Sequence, residues 1–74
     1  MRIISQYDSV DVSYMLSSFE VGENDKGTYS IEATVFASVI FMGEYKTKER
    51  ALEILREIRE RYNIGIKFYV MPKE

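Results

Sequence analysis

The stretch Thr47-Lys48-Glu49-Arg50-Ala51-Leu52-Glu53-Ile54-Leu55-Arg56-Glu57-Ile58-Arg59-Glu60-Arg61-Tyr62-Asn63 decides the fold class. Ala51, Leu55, Ile58 and Tyr62 recur at +4, +3 and +4, the spacing of one helix face, and Leu52 and Ile54 widen that stripe. The opposite face holds Glu53, Arg56, Glu57, Arg59, Glu60 and Arg61. Arg56/Glu60 and Glu57/Arg61 lie four apart, worth a few tenths of a kcal/mol per pair. Thr47 reads as the N-cap and Glu49 favours the dipole in the first turn. Asn63 is suited to a left-handed C-terminal position.

On either side of this helix the pattern changes from a period near four to a period of two. Ile66 to Met71 alternates as a last strand, and Pro72 ends it. Upstream, Thr28 to Phe36 and Val39 to Tyr45 are rich in β-branched and aromatic residues. A single strand over both would run about 60 Å at ~3.3 Å per residue, too long for so short a chain. A bend at Ala37–Ser38 is expected instead. Glu23-Asn24-Asp25-Lys26-Gly27 is a polar hairpin loop with glycine available for positive φ. Before it, Leu16 to Gly22 reads as a strand with Phe19 and Val21 on one side and Glu20 on the other. Val10 to Tyr14 alternates, Tyr7-Asp8-Ser9 has turn chemistry, and Arg2 to Ser5 begins the chain as a short strand. The expected fold is α+β, with residues 1–74 as a single domain. It is a small antiparallel β-sheet of four to six short strands with one amphipathic α-helix packed on one face, in the order β-β-β-β-α-β.

Composition narrows the chemistry. The chain is 74 residues, 46% hydrophobic and 14% aromatic, too apolar for a disordered protein. At this length only about 60–65% of the unfolded surface is buried, so the core is marginal without a staple or partner. There is no Cys to form a disulfide. The absence of both His and Cys removes the usual ligands of zinc, iron and copper. It also removes Ser/His, Cys/His and histidine acid–base catalysis. No catalytic residues, metal or cofactor are therefore expected. The formal charge is −2, so no global field draws the chain to nucleic acid or an anionic membrane. No secretory leader pattern is present, and the apolar run Ala33 to Met42 is too short for a membrane-spanning helix. Cytoplasmic residence is the expectation.

A single helix covers one face of the sheet, yet Val35, Phe36, Ala37, Val39, Ile40, Phe41 and Met42 put apolar side chains on both sides of their strands. Either the sheet curls so that its long strand wraps its own core, or, the preferred expectation, the second face is a partner surface, most simply a twofold homodimer, with Val35, Val39, Phe41 and Met42 at the interface. Carboxylate pairs at Asp8/Asp11 and Glu23/Asp25 lie in turn-like segments and read as solvated. Lys46, Lys48 and Arg50 surround Tyr45 and Thr47 at the start of the helix, where cations, a hydroxyl and free backbone amides can hold a phosphate. No glycine-rich loop accompanies them, so this is not a phosphate-loop motif. Six Tyr and four Phe are many for this length. No RNA-binding signature orders them, and nucleic acid is not an expected partner.

Met1-Arg2-Ile3-Ile4-Ser5-Gln6 fits the pattern M-[KR]-I-I-S-Q. Asp11-Val12-Ser13-Tyr14 fits D-[LIV]-P-Y with Ser13 in place of proline. Glu44-Tyr45-Lys46-Thr47-Lys48-Glu49-Arg50-Ala51 fits E-Y-S-T-x-E-x-A with Lys46 where serine is usual. Through these segments the chain resembles a family of small uncharacterised proteins from phages and mobile elements of Gram-positive bacteria. The motifs transfer no established activity. The resemblance implies an accessory protein of the bacterial host cytosol that acts by binding. It would either inhibit a host protein or sequester a nucleotide signal used in antiphage defence. In the nucleotide version a base stacks on Tyr14 or Tyr45, while Lys46, Thr47, Lys48 and Arg50 hold the phosphates. In the alternative, the apolar sheet face or the charged helix meets a host protein.

Overall fold

The computed structural model describes all residues, 1–74. It is α+β, with strands β1 (Arg2–Ile4), β2 (Asp11–Ser13), β3 (Ser17–Glu23), β4 (Tyr29–Val35) and β5 (Ser38–Tyr45), helix α1 (Lys48–Asn63) and strand β6 (Phe68–Val70). A single 3-10 turn, Tyr14–Leu16, joins β2 to β3. The strands form two three-stranded sheets, ordered β2-β1-β6 and β3-β4-β5, where one antiparallel sheet was expected. Five strands precede the helix, not four. The β6 strand lies parallel to β1, a pairing between the two ends of the chain that no local pattern announces. A backbone hydrogen bond from the Gln6 N–H to the Met42 carbonyl (2.8 Å) links the two sheets where the chain leaves β1.

The α1 helix begins as its sequence predicts, with the Thr47 hydroxyl accepting the Arg50 N–H at 3.1 Å. Its buried stripe is Ala51, Ile54 and Ile58; Leu55 is half-buried and Leu52 exposed. The helix's left-handed ending comes two residues later than expected. Gly65, not Asn63, takes the left-handed position at φ 84°, with Gly65 N–H bonding Tyr62 O and Ile66 N–H bonding Arg61 O. That pair of bonds is a Schellman ending, and glycine adopts its positive φ without a Cβ clash.

One core joins both sheets to the helix. Ile3, Val12, Tyr69 and Met71 come from the small sheet and its C-terminal extension, Ile31, Ala33, Met42 and Tyr45 from the meander, and Ala51, Ile54 and Ile58 from α1. The hairpin at Asn24–Gly27 is where it was expected, with Gly27 at φ 83°. The next turn is one residue earlier than expected: Val35 pairs with Ser38, leaving Phe36 and Ala37 as the loop.

The apolar run in β5 does not give two apolar faces. Ile31 pairs with Gly43 while Glu32 pairs with Phe41, so Met42 is an extra residue, a β-bulge. The bulge inverts the alternation. Before it Ile40 faces the helix, and after it Gly43 and Tyr45 do, while Met42 itself is 0% exposed. Met42 therefore belongs to the core and cannot form the expected interface, while Val35 is half-buried and packs against that core. Val39 and Phe41 are exposed on the open face, where Glu20, Glu32 and Thr34 make the remainder polar. No helix is long and apolar enough to cross a membrane.

Candidate functional site

The largest cavity, about 490 Å³, opens at the N-terminus of α1. Its floor is Tyr45, and its walls are Lys46, Thr47 and Arg50 on one side, Thr28 and Glu44 on another. Tyr7 and the C-terminal Lys73 and Glu74 close the third side. Four of the six residues expected to bind ligand thus share one cavity. Lys48 and Tyr14 do not line it. Tyr14 lies against Tyr62 and Phe19, with ring centroids 4.4 and 6.1 Å away, and lines a separate cavity.

Two polar residues in the sequence Ser5-Gln6 build the walls. The Ser5 hydroxyl, buried, accepts the backbone N–H groups of Ser9 and Val10 at 3.2 Å each. Asp8 N–H bonds Ser5 O at 3.0 Å, and Asp8 takes φ 59°, a conformation Asp tolerates. The tight turn so formed presents Tyr7 to solvent, 71% exposed. The Gln6 amide turns inward. Its Oε1 accepts Glu44 N–H (2.9 Å), and its Nε2 donates to the carbonyls of Glu44 (3.1 Å), Pro72 (3.1 Å) and Lys73 (2.8 Å). One side chain therefore copies a strand partner for β5 and pins the C-terminal wall.

Tyr45 is only 2% exposed and its hydroxyl donates to Pro72 O at 2.7 Å, so its ring supports the floor and is not a stacking surface. Tyr7 is the aromatic a ligand can reach. Its signal in the sequence was an aromatic placed inside turn chemistry, off any strand alternation. Arg50 is already engaged: Nε and Nη2 hold the Glu74 carbonyl at 3.1 and 2.9 Å, and Nη1 pairs with Glu53. Lys46 and Lys73 make no ion pair. Glu44 accepts from Thr28 and Asn24. The cavity thus carries three cations against two carboxylates, with the two lysines unengaged. Elsewhere, Asp11 pairs with Arg2, and no group of three or more carboxylates gathers at one point.

Burial pushes the Tyr45 hydroxyl up to about 12, Arg50 opposing the shift and Tyr7 adding to it. Tyr69 is also pushed up, first by burial and then by donation to Glu57 Oε1 at 2.7 Å. Unfolded tyrosine ionises near pH 10. Between that value and the raised native ones the unfolded chain has lost protons that the folded chain keeps, so unfolding is favoured. The contribution is complete below about pH 10 and lost as pH rises through about 12. Thermal melts followed by circular dichroism should show a midpoint that is level at neutral pH and falls steeply above about pH 10. Tyr45→Phe should shallow that fall, and a midpoint indifferent to alkali would contradict the assignment.

Comparison with known protein families, with curated proteins and with solved structures finds no match.

Proposed function

We propose that this chain is a non-enzymatic, homodimeric binding protein that takes a small phosphorylated ligand, a nucleotide by preference, in the cavity at the start of α1. One observation carries the reading: Lys46, Lys73, the Thr47-capped helix terminus and the exposed Tyr7 border a single cavity. Its volume, about 490 Å³, lies within the range of small-molecule sites. The positive end of the α1 dipole and two uncommitted ammonium groups suit phosphate oxygens. The Tyr7 ring offers a base its π-face. In a phage or mobile-element setting, which the opening hexapeptide implies by resemblance, holding a nucleotide signal in the host cytosol would blunt a defence response.

Titration calorimetry against cyclic and ADP-ribose-type nucleotides, inorganic phosphate and the parent nucleosides tests this. Phosphorylated members should release heat and nucleosides none. Lys46→Ala should weaken binding about tenfold, the loss of one charge-assisted contact. Heat with no member of the panel would overturn the ligand. A second reading, inhibition of a host protein, is favoured by the exposed Val39 and Phe41. Stoichiometric capture of one host protein, lost on Phe41→Ser, would select it.

A further inference from the structure

Glu44 is held at both ends. The Gln6 amide bonds its backbone N–H and its carbonyl, at 2.9 and 3.1 Å. The hairpin loop between β3 and β4 holds its carboxylate. The Ser30 hydroxyl donates to Asn24 Oδ1 at 3.0 Å, and Asn24 Nδ2 donates to the Thr28 hydroxyl oxygen, also at 3.0 Å. The Thr28 hydroxyl donates in turn to Glu44 Oε2, and Asn24 Nδ2 adds a longer contact at 3.4 Å. Every proton in this row points toward the carboxylate, because an ionised carboxylate can only accept. Donors aligned in one sense polarise one another and strengthen each bond. The Glu44 side chain is thus set in place by contacts on two loops before anything enters the cavity.

Its second oxygen is open. Glu44 Oε1 makes no bond within the chain, and the residue is exposed on the cavity wall beside Thr28. Lys46 lines the same cavity and does not pair with Glu44. The two flank the buried Tyr45 in extended backbone, which sets their Cα atoms about 7 Å apart on one side. The lysines can only donate, and two residues away Glu44 can only accept. A ligand that satisfies both carries an anion at one end and a hydrogen-bond donor about one sugar's length from it. A phosphate at the Glu44 position would meet a like charge. A base amino group lies beyond the sugar, farther from the phosphate than this spacing. We infer that Glu44 accepts a hydrogen bond from a free ribose hydroxyl of the bound nucleotide, so that the cavity selects ribonucleotides over deoxynucleotides. Dinucleotide sites use a carboxylate on the ribose 2′-hydroxyl in the same way. This assignment rests on the nucleotide reading of the cavity and adds a sugar preference to it.

Titration calorimetry of the full chain with ADP, 2′,3′-dideoxy-ADP and inosine diphosphate tests it. ADP should bind about tenfold or more tightly than dideoxy-ADP, the loss of one charge-assisted hydrogen bond, and inosine diphosphate should match ADP. In Glu44→Gln the ratio of ADP to dideoxy-ADP affinity should fall to near one. The ratio cancels the general gain in phosphate affinity that removing a negative charge brings to both ligands. Thr28→Val keeps the carboxylate but frees it to swing, so it should lower the ratio too, and it carries the test if Glu44→Gln does not fold. No heat from these three or from the cyclic and ADP-ribose-type nucleotides would overturn the nucleotide reading and this assignment together. Heat from the cyclic nucleotides but none from ADP would overturn this assignment alone. So would equal binding of ADP and dideoxy-ADP, or a ratio that survives both substitutions. A loss confined to inosine diphosphate would place Glu44 on the base amino group and overturn the sugar assignment.

Discussion

Gln6→Leu should lower the unfolding free energy by about 3–4 kcal/mol, read as a reduced urea midpoint with an unchanged m-value. Leucine nearly matches glutamine in volume, so the loss is one of hydrogen bonding. The wild-type amide serves four backbone groups on two segments distant in sequence, the end of β5 and the C-terminal Pro72–Lys73. Removing it leaves the Glu44 N–H facing hydrocarbon, at about 1–3 kcal/mol for an unpartnered buried donor, with the carbonyls adding a smaller sum where water reaches them. Set against about 0.05–0.15 kcal/mol per residue, that is a large share of the stability of so short a chain. The same substitution should weaken binding of the proposed phosphorylated ligand, because Lys73 is held at the cavity by this clip. Ser5→Ala, which removes contacts to Ser9 and Val10 within one solvent-facing turn, should cost less, about 1–2 kcal/mol. Equal effects of the two would mean that water replaces the Gln6 amide and that β5 and the C-terminus are joined by other forces.

The helix was legible because its determinants are local. Thr47 and the alternation of charge and hydrocarbon act within one or two turns, although the ending read at Asn63 is made by Gly65. Even so, the buried stripe is centred on Ile54 and not on Leu55, since the surfaces of two sheets, not the helix alone, decide which side is covered. The division into two sheets was not legible. It depends on β6 pairing with β1 across almost the whole chain, and short strands carry no address for a distant partner. The site was half legible. Tyr45, Lys46, Thr47 and Arg50 lie on one continuous segment, so the helix start that gathers them is a local fact. Tyr7 and Lys73 reach the same cavity only through the Gln6 clip, a contact spanning 66 and 67 residues on the C-terminal side. Tyr14 was misplaced because strand alternation cannot say against which surface an aromatic will stack.

The β5 bulge leads to the second large effect. Gly43→Val should cost about 3 kcal/mol, with Gly43→Ala at roughly half of that. On propensity alone the expectation is reversed, since replacing glycine in a strand with a β-branched residue gains about 1 kcal/mol. Packing decides otherwise. With Met42 as the extra residue, Gly43 and Tyr45 fall on the same inward face, and the Tyr45 ring folds back over Gly43. A Cβ at Gly43 would lie 2.9 Å from the Tyr45 hydroxyl oxygen and 3.1 and 3.2 Å from two ring carbons. A free tyrosine would swing away. This one is buried and its hydroxyl is held by the Pro72 carbonyl, so the ring must move against the core or the C-terminal segment must release it. Valine adds two methyl groups to that conflict. Tyr45→Leu shortens the opposing side chain, so the double variant Gly43→Val/Tyr45→Leu should be more stable than the two single losses predict, by about 1–2 kcal/mol of coupling. Denaturation of all four chains of the cycle measures this directly. Additive losses would mean that the glycine is required by the bulged backbone and not by the ring. Coupling would make one packing event, Tyr45 over Gly43, responsible both for the register that buries Met42 and for the floor of the cavity where the ligand is proposed to bind.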